Sequence, residues 1–468
     1  VAVLPFARPT ASAGSLLYVD TTGSDTTGTG TSLNPWRTIT RALNGASNGN
    51  RISVGPGTYN PTTGQTTNVT ASSRVFSPST PVTVFARDGY GTVTIGPTSS
   101  SNTRVFGIWC ANSAGIIFKD LIVNVRGYGG ALGNYGSVAA VMDYSDDIEF
   151  QNCWFKECGG MHMLVRGGTS SGQVSNRITA YRCRFGGSST GTGQFIALDE
   201  TDDYFTTKGS HSIYAGHGDE AILSGSDNLL IMNCIFHGTT PGRHIQLGPQ
   251  ARNNYILYNT FYGNKIGSFT RGIYQSKEAG GFIEFNQEDS RTFFAISPTL
   301  IENNLFVNCD GHAVWSGSVY DTISNITVQN NIGWQCLRAQ NHSGSDCGLT
   351  FHRFASNGNV MYSLGTGNLV VDPLLTNPAG LNFVPAEGSP AINAGSKGNY
   401  YPDDDFLGNT RAATPSIGAI DGTTTPPPPP PPPPDPALRR PELTRVPGGS
   451  GRISNPSGRI AGLGGGGL

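Results

Sequence analysis

The sequence predicts an all-β chain wound as a right-handed parallel β-helix, with an N-terminal capping helix and an extended Pro- and Gly-rich C-terminal tail. Three observations lead there. Charged residues are only 13% of the chain while Gly numbers 64, a composition rich in turns and poor in helix formers. An alternating apolar run that closes on Asn, a small or polar residue, an apolar residue and an aromatic returns many times along the chain. The composition then changes abruptly after Asp421, where threonines lead into a proline run at 426–434.

The repeat reads IEFQNCWF (148–155), ITAYRCRF (178–185), LLIMNCIF (229–236), ILYNTFY (256–262), LIENNLF (300–306) and ITVQNNIG (326–333), with IIFKDLIV (116–123) as a weaker first copy. Its Asn-equivalent residues are Asp120, Asn152, Arg182, Asn233, Asn259, Asn303 and Asn330, spaced by 32, 30, 51, 26, 44 and 27 residues. The short steps match one coil of a solenoid; the steps of 51 and 44 match two coils or one coil with an insertion. A single coil cannot bury its apolar row, so coils must stack at the ordinary strand spacing. The recurring Asn is expected at a corner, where it tolerates left-handed geometry and its amide can bond neighbouring coils. Ile, Leu and Phe are expected to stack on their own kind.

Open strand edges at the end of such a stack need a cover. Asn34 suits a helix N-cap and Pro35 the first helical position, with Ile39, Ala42 and Leu43 on one face, so an amphipathic helix is expected to plug the N-terminal end. The strand and turn RISVGPGTY (51–59) follow. The opening VAVLPFARPTASA (1–13) ends on an Ala-x-Ala pattern and reads as a processed export segment. The expected organisation is therefore a processed segment at 1–14, the β-helix at 15–422, a polyproline linker at 423–435 and a Gly- and Arg-containing tail at 436–468.

The chain resembles the pectate-lyase-like superfamily of right-handed β-helix proteins over about residues 15–422. The resemblance rests on LLYVDTTGSDTTGTGTSLNPWRTITRAL (16–43), Pro-Gly-Thr-Tyr at 56–59, and a closing stretch (372–421) that opens DPLLTNPAGLNFVPAEGSPAINAG and ends IGAID. It implies the fold and leaves the activity open, because lyases, hydrolases, epimerases, phage fibres and non-catalytic proteins share it. Lyases of this fold hold calcium with carboxylates and use Arg or Lys as base along an outer groove. Here the acidic segment 198–223 offers Asp199, Asp202, Asp203, Asp219 and Glu220 as calcium ligands. Lys208, with Arg243 and His217, supplies the candidate catalytic side chains. The simpler reading is a solvated acidic loop, since the spacing matches no metal motif; the polygalacturonase and epimerase signatures are also absent.

Aligning Leu164, Ile213, Ile245, Ile273 and Val314 as one column places His162, His211, Arg243, Arg271 and His312 together two residues earlier. Such a file would suit an acidic polysaccharide; the alternative is that these side chains are satisfied at corners. Cys153, Cys183 and Cys234 share one repeat position, either within disulfide reach or packed as free thiols. Cys336 and Cys347 could close a short loop, and Asp403 to Asp405 are expected in the C-terminal closure, with calcium binding as the alternative.

A net charge of −2 disfavours nucleic-acid binding, and no apolar run reaches membrane-spanning length. Two functions remain. The first is an extracellular or cell-surface structural β-helix, requiring no cofactor, that assembles into a fibre or layer as a homo-oligomer through its ends and tail. The second is a secreted polysaccharide lyase or glycan-binding protein.

Overall fold

The computed structural model describes residues 4–10, 13–60, 67–96, 106–125, 137–158, 161–168, 170, 172–186, 211–216, 225–238, 243–248, 250–263, 281–285, 298–309, 312–316, 326–336, 351–355, 358–361 and 366–422. The chain divides at Thr424 and Thr425, and every described residue belongs to the first unit. The predicted linker and tail, 423–468, lie outside the described residues.

Strands are short because each coil turns three corners. One coil runs Val138–Asp143, Asp146–Gln151 and Trp154–Cys158 before the next begins at Met161. These three stations build three long sheets. The first contains Asp146–Gln151 and has eleven strands; the second contains Val138–Asp143 and the third Trp154–Cys158, each with ten. Among the described residues all but two of the strand pairings are parallel; the strands 351–355 and 358–361 close the second sheet as an antiparallel pair, and Leu375–Asn377 pairs Asn382–Pro385. The result is a right-handed parallel β-helix.

Register settles the two long steps. Ser175–Tyr181 pairs directly with Ser226–Met232, and Asn254–Leu257 with Thr299–Glu302, so each step is one coil carrying insertions. Inside, like stacks on like. Phe155, Phe185, Phe236, Phe261 and Phe306 come from successive coils of the third sheet, with stacked rings 4.6 to 5.0 Å apart. Each such pair adds on the order of 1 kcal/mol beyond its buried area.

The corner between the first and third sheets is two residues long and contains two columns. The first column is left-handed: Asp120, Asn152, Arg182, Asn233, Tyr258, Asn303 and Asn330 all have φ between 50° and 60°. Four of the five predicted Asn residues fall in it. Asn259 does not, because Leu257 rather than Tyr258 pairs with Glu302, leaving Tyr258 at the left-handed place.

Asn259 belongs to the second column, which points into the core and reads Cys153, Cys183, Cys234, Asn259, Asn304, Asn331 and Asn368. Its members share one bonding pattern. The backbone N–H of one donates to the side chain of the next coil, and that side chain donates back to a carbonyl of the coil before. For asparagines, Asn259 N–H donates to Asn304 Oδ1 at 2.9 Å and Asn304 Nδ2 to the Ile256 carbonyl at 2.8 Å. For cysteines, Cys183 N–H donates to Cys234 Sγ at 3.4 Å and Cys234 Sγ to the Ala180 carbonyl at 3.3 Å. Cys153, Cys183 and Cys234 are thus free buried thiols doing the work of amides; Cys347 lies outside the described residues. Ser113, Ser145 and Ser175 repeat the pattern at the corner between the second and first sheets.

The left-handed column faces outward and is gripped by residues 396–421, which return along the solenoid. Ser396 exchanges both backbone groups with the Asn303 amide, at 2.9 Å each, and its carbonyl accepts from Tyr258 Oη at 2.6 Å. Arg411 is the buried fastener: it pairs with Asp421 at 3.0 Å, donates to Asn233 Oδ1 at 2.7 Å and covers the Tyr258 ring. Asp404 accepts from Tyr181 and Arg182, and Asp405 accepts the N–H groups of Asn409 and Asp421. The acidic triplet therefore serves the closure. At the other terminus, Arg8 bonds Glu149 and lies over the Tyr181 ring, with Leu4 and Phe6 packed on the same outer cluster. The segment expected to be processed thus lies against the solenoid.

The cap is helix α1 (Ile39–Gly45), whose Ile39, Ala42 and Leu43 are buried as predicted. Its N-cap is Thr38, not Asn34. Asp25 accepts the N–H groups of Arg37 and Thr38 and the Thr38 hydroxyl, which holds Thr38 in place, while Asn34 closes the preceding turn by donating to the Thr27 carbonyl.

Replacing Asn304 by Ala should orphan buried backbone groups and cost about 3 kcal/mol, whereas Cys183→Ser, which keeps a donor and an acceptor, should cost roughly 1. Chemical denaturation of the two variants checks the order; equal losses would remove the ladder's role.

Candidate functional site

The outer side of the second sheet holds what the predicted cationic file becomes. Met163 pairs with Ile213, which pairs in turn with Ile245, Ile283 and Val314. Two residues earlier stand Met161, His211, Arg243, Gly281 and His312. The predicted file is therefore corrected at two places. His162 is one residue out, which turns a side chain to the other face. Gly281 stands where Arg271 was expected, because Ile283 rather than Ile273 supplies that coil; Arg271 itself lies outside the described residues.

His162 instead shares an inward row with Ser212, His244, Phe282 and Ala313. It is fully buried, 6.1 Å from the Phe185 ring, and burial drops its pKa to about 3. His244 stacks on Phe282 at 5.6 Å and meets Ser212 Oγ through Nδ1 at 3.0 Å. His237, also buried, falls to about 3 through burial and then the charge of Arg184.

Three residues of the file do meet on the outer side, and they do not make a cationic stripe. His211 Nδ1 accepts the backbone N–H of Arg243 at 3.0 Å, and burial followed by the Arg243 charge lowers its pKa to about 3, so it is neutral. Arg243 Nε lies 3.8 Å from Glu284 Oε2, a pair whose side chains are 7% and 9% exposed. A Cβ on Gly281 would lie 2.6 Å from the His312 carbonyl oxygen, so this glycine makes room for the backbone of the next coil, with Arg243 Cδ in ordinary contact at 3.4 Å. The charge is compensated within the site. Glu284 and Gln246 were missed by the sequence reading, although the parallel triplets IQL (245–247) and IEF (283–285) mark their shared place.

Insertions border this sheet. Between Phe185 and Ile213, Gly216 and Ser226, Tyr262 and Ile283, Phe285 and Thr299, Ser316 and Ile326, and Cys336 and Phe351, the long connections all enter or leave a strand of the second sheet. Every corner between first and third sheets in these coils keeps two residues. Asp199, Asp202, Asp203, Lys208, His217, Asp219 and Glu220 fall in two of these connections, outside the described residues. Among the described residues no three His, Cys, Asp or Glu side chains gather as metal ligands, and no helix is long and apolar enough to cross a membrane.

The class these coils define is the right-handed parallel β-helix. Residues 21–75 match the model of a family described as "Protein of unknown function (DUF1565)". No curated protein matches the chain. Among solved structures it is similar to a rhamnogalacturonan lyase at 12% identity, over 68% of this chain and 87% of that one, with TM-score 0.45. It is similar to pectate lyase Pel9A at 13% identity, over 88% and 97%, with TM-score 0.42. A third likeness is to PfbA, a surface adhesin of Streptococcus pneumoniae, at 11% identity over 62% and 72%, with TM-score 0.36.

The buried imidazoles set a pH dependence. Folded, His162, His211 and His237 stay neutral down to pH about 3; unfolded, each takes a proton below about 6.5. The unfolded chain binds more protons between those values, so stability is fully present above about pH 6.5 and declines as pH falls. His162→Phe, matching Phe282 on the same row, should flatten that decline in melting curves taken from pH 7 to 4. An unchanged slope would remove His162 as a contributor.

Proposed function

We propose that this chain is an extracellular glycan-binding β-helix whose working face is the outer side of the second sheet. One observation carries the reading. The long connections all enter or leave that one sheet, while the corner between the first and third sheets keeps two residues in the same coils. Variable connections set on a rigid scaffold are where such folds place recognition. On that sheet Arg243, Glu284, Gln246 and His211 provide charge-balanced donors and acceptors suited to sugar hydroxyls. Lys208 and His217, with the acidic residues near them, are the groups through which this face would act as a lyase, with calcium held by Asp199, Asp202, Asp203, Asp219 and Glu220.

Affinity electrophoresis of the full chain in gels of pectate, alginate, xylan and β-glucan tests the reading. Retardation by at least one polymer is expected, weakened about tenfold in an Arg243→Met, Glu284→Gln double variant that removes the pair without stranding a charge. Retardation by none, or an unaffected variant, would overturn it. Absorbance of unsaturated uronate products, lost in Lys208→Ala, separates catalysis from binding.

Assembly through the ends is favoured by a separate feature. The last strand of the third sheet exposes Leu369 at 42% and Val370 at 51%, an apolar edge at the C-terminal end of the stack. With residues 423–468 removed, the chain should stay folded and sediment as a monomer if the tail carries assembly; polymers of unchanged size would sink that role.

A further inference from the structure

A cleft of about 290 Å³ opens on the outer side of the first sheet. Its floor is made by Tyr255, Leu300 and Thr327, paired across three coils, and by Glu302 and Gln329 one outward place further along. Its wall is Asn399 and Tyr400 of the returning C-terminal segment. The wall is held in place, because Ser396 is bonded by Tyr258 and by both polar ends of the Asn303 amide.

We propose that this cleft is a second carbohydrate site, taking a neutral sugar unit of an extended glycan. Size is the first argument: the volume lies at the lower limit of small-molecule pockets and suits one or two sugar rings. Shape is the second. Tyr255 and Tyr400 meet edge to face, centroids 5.3 Å apart and planes at 82°, presenting two aromatic surfaces at a right angle for the apolar face of a ring. Chemistry is the third. Thr327, Gln329 and Asn399 both donate and accept, as ring hydroxyls require, and no lining residue is cationic.

Glu302 decides which sugars fit. It is completely buried; Gln329 Nε2 donates to Oε1 at 2.8 Å and Asn330 Nδ2 at 3.4 Å, while Oε2 receives no hydrogen bond among the described residues. Gly398 passes directly over it, where a Cβ would come within 2.7 Å of Oε1. Burial raises the Glu302 pKa, and a carboxyl short of partners just beneath the floor disfavours a second acidic group beside it, which opposes uronates and sulfated sugars. The cleft therefore selects differently from a face built around Arg243, and it stands whether or not that face binds glycan.

Saturation-transfer NMR of the full chain with cello-, xylo- and manno-tetraose, and with tetragalacturonate, tests the proposal. At least one neutral tetramer should bind, and its affinity should fall about tenfold or more in both Tyr400→Ala and Thr327→Trp. Thr327 is exposed, so the second variant blocks the cleft without disturbing the core, and Arg243→Met should leave this binding intact. Binding by no neutral tetramer, or binding indifferent to both cleft variants, would overturn the proposal. A signal lost only in Arg243→Met would also overturn it while leaving the second-sheet reading in place.

Discussion

Everything in this solenoid depends on satisfying the backbone of its two-residue corners. Strands pair their own amides with the coils on either side, but a corner residue buried against the core has donors and acceptors that no ladder reaches. From Cys153 onward at one corner, and from Ser113 to Ser175 at another, the chain solves this with one small side chain that both donates and accepts along the axis. Ser, Cys and Asn are used in turn, and the geometry shows them to be equivalent: Cys234 Sγ and Asn304 Nδ2 each donate to a carbonyl of the preceding coil. The left-handed residue before each inward Cys or Asn follows from the same constraint, since a positive φ reverses the chain within the two residues of that corner. Arg182 and Tyr258 accept that conformation at φ 55° and 53° because the column, not the residue, demands it.

That arrangement frees the outward-pointing corner residues to bind something else, and here they bind the chain's own C-terminal segment. Asn233 and Asn303 are satisfied by Asp404 and Ser396 rather than by each other. Arg411 and Asp421 are buried together in this contact, and removing either would strand the other, a loss of several kcal/mol. The returning segment is thus part of the folded body, and Asn399 and Tyr400, just past the crossing of Gly398 over Glu302, wall the cleft.

The fold was legible because its period was written several times over. One motif, repeated with an aromatic in a constant place, predicted the Phe file and the corner. What misled was local ambiguity of one residue. In ILYNTFY (256–262) a single Asn could be either corner residue, and the neighbouring LIENNLF (300–306), with Asn at both, shows that the two columns accept the same amino acid. His162 was misplaced for a related reason. A bend precedes the strands at Ser212, His244, Phe282 and Ala313, so two successive residues point inward and strict alternation fails there. Thr38 was overlooked as N-cap because its partner, Asp25, lies thirteen residues away in sequence.

The site was less legible than the fold because its character depends on compensation, which composition does not reveal. His211 and Arg243 read as two cationic groups on one file, yet the imidazole accepts a hydrogen bond from the arginine's own backbone and the guanidinium faces Glu284. The glutamate comes from a different coil, paired in register with Gln246 rather than near Arg243 in the chain. A solenoid stacks residues far apart in sequence at the strand spacing, so a charge read along the chain is always incomplete until the coils above and below are in register. The consequence is a protein whose three faces differ in chemistry although one repeat generates them: the corner shared by the first and third sheets is closed by the chain itself, and the second gathers the connections that the repeat does not require.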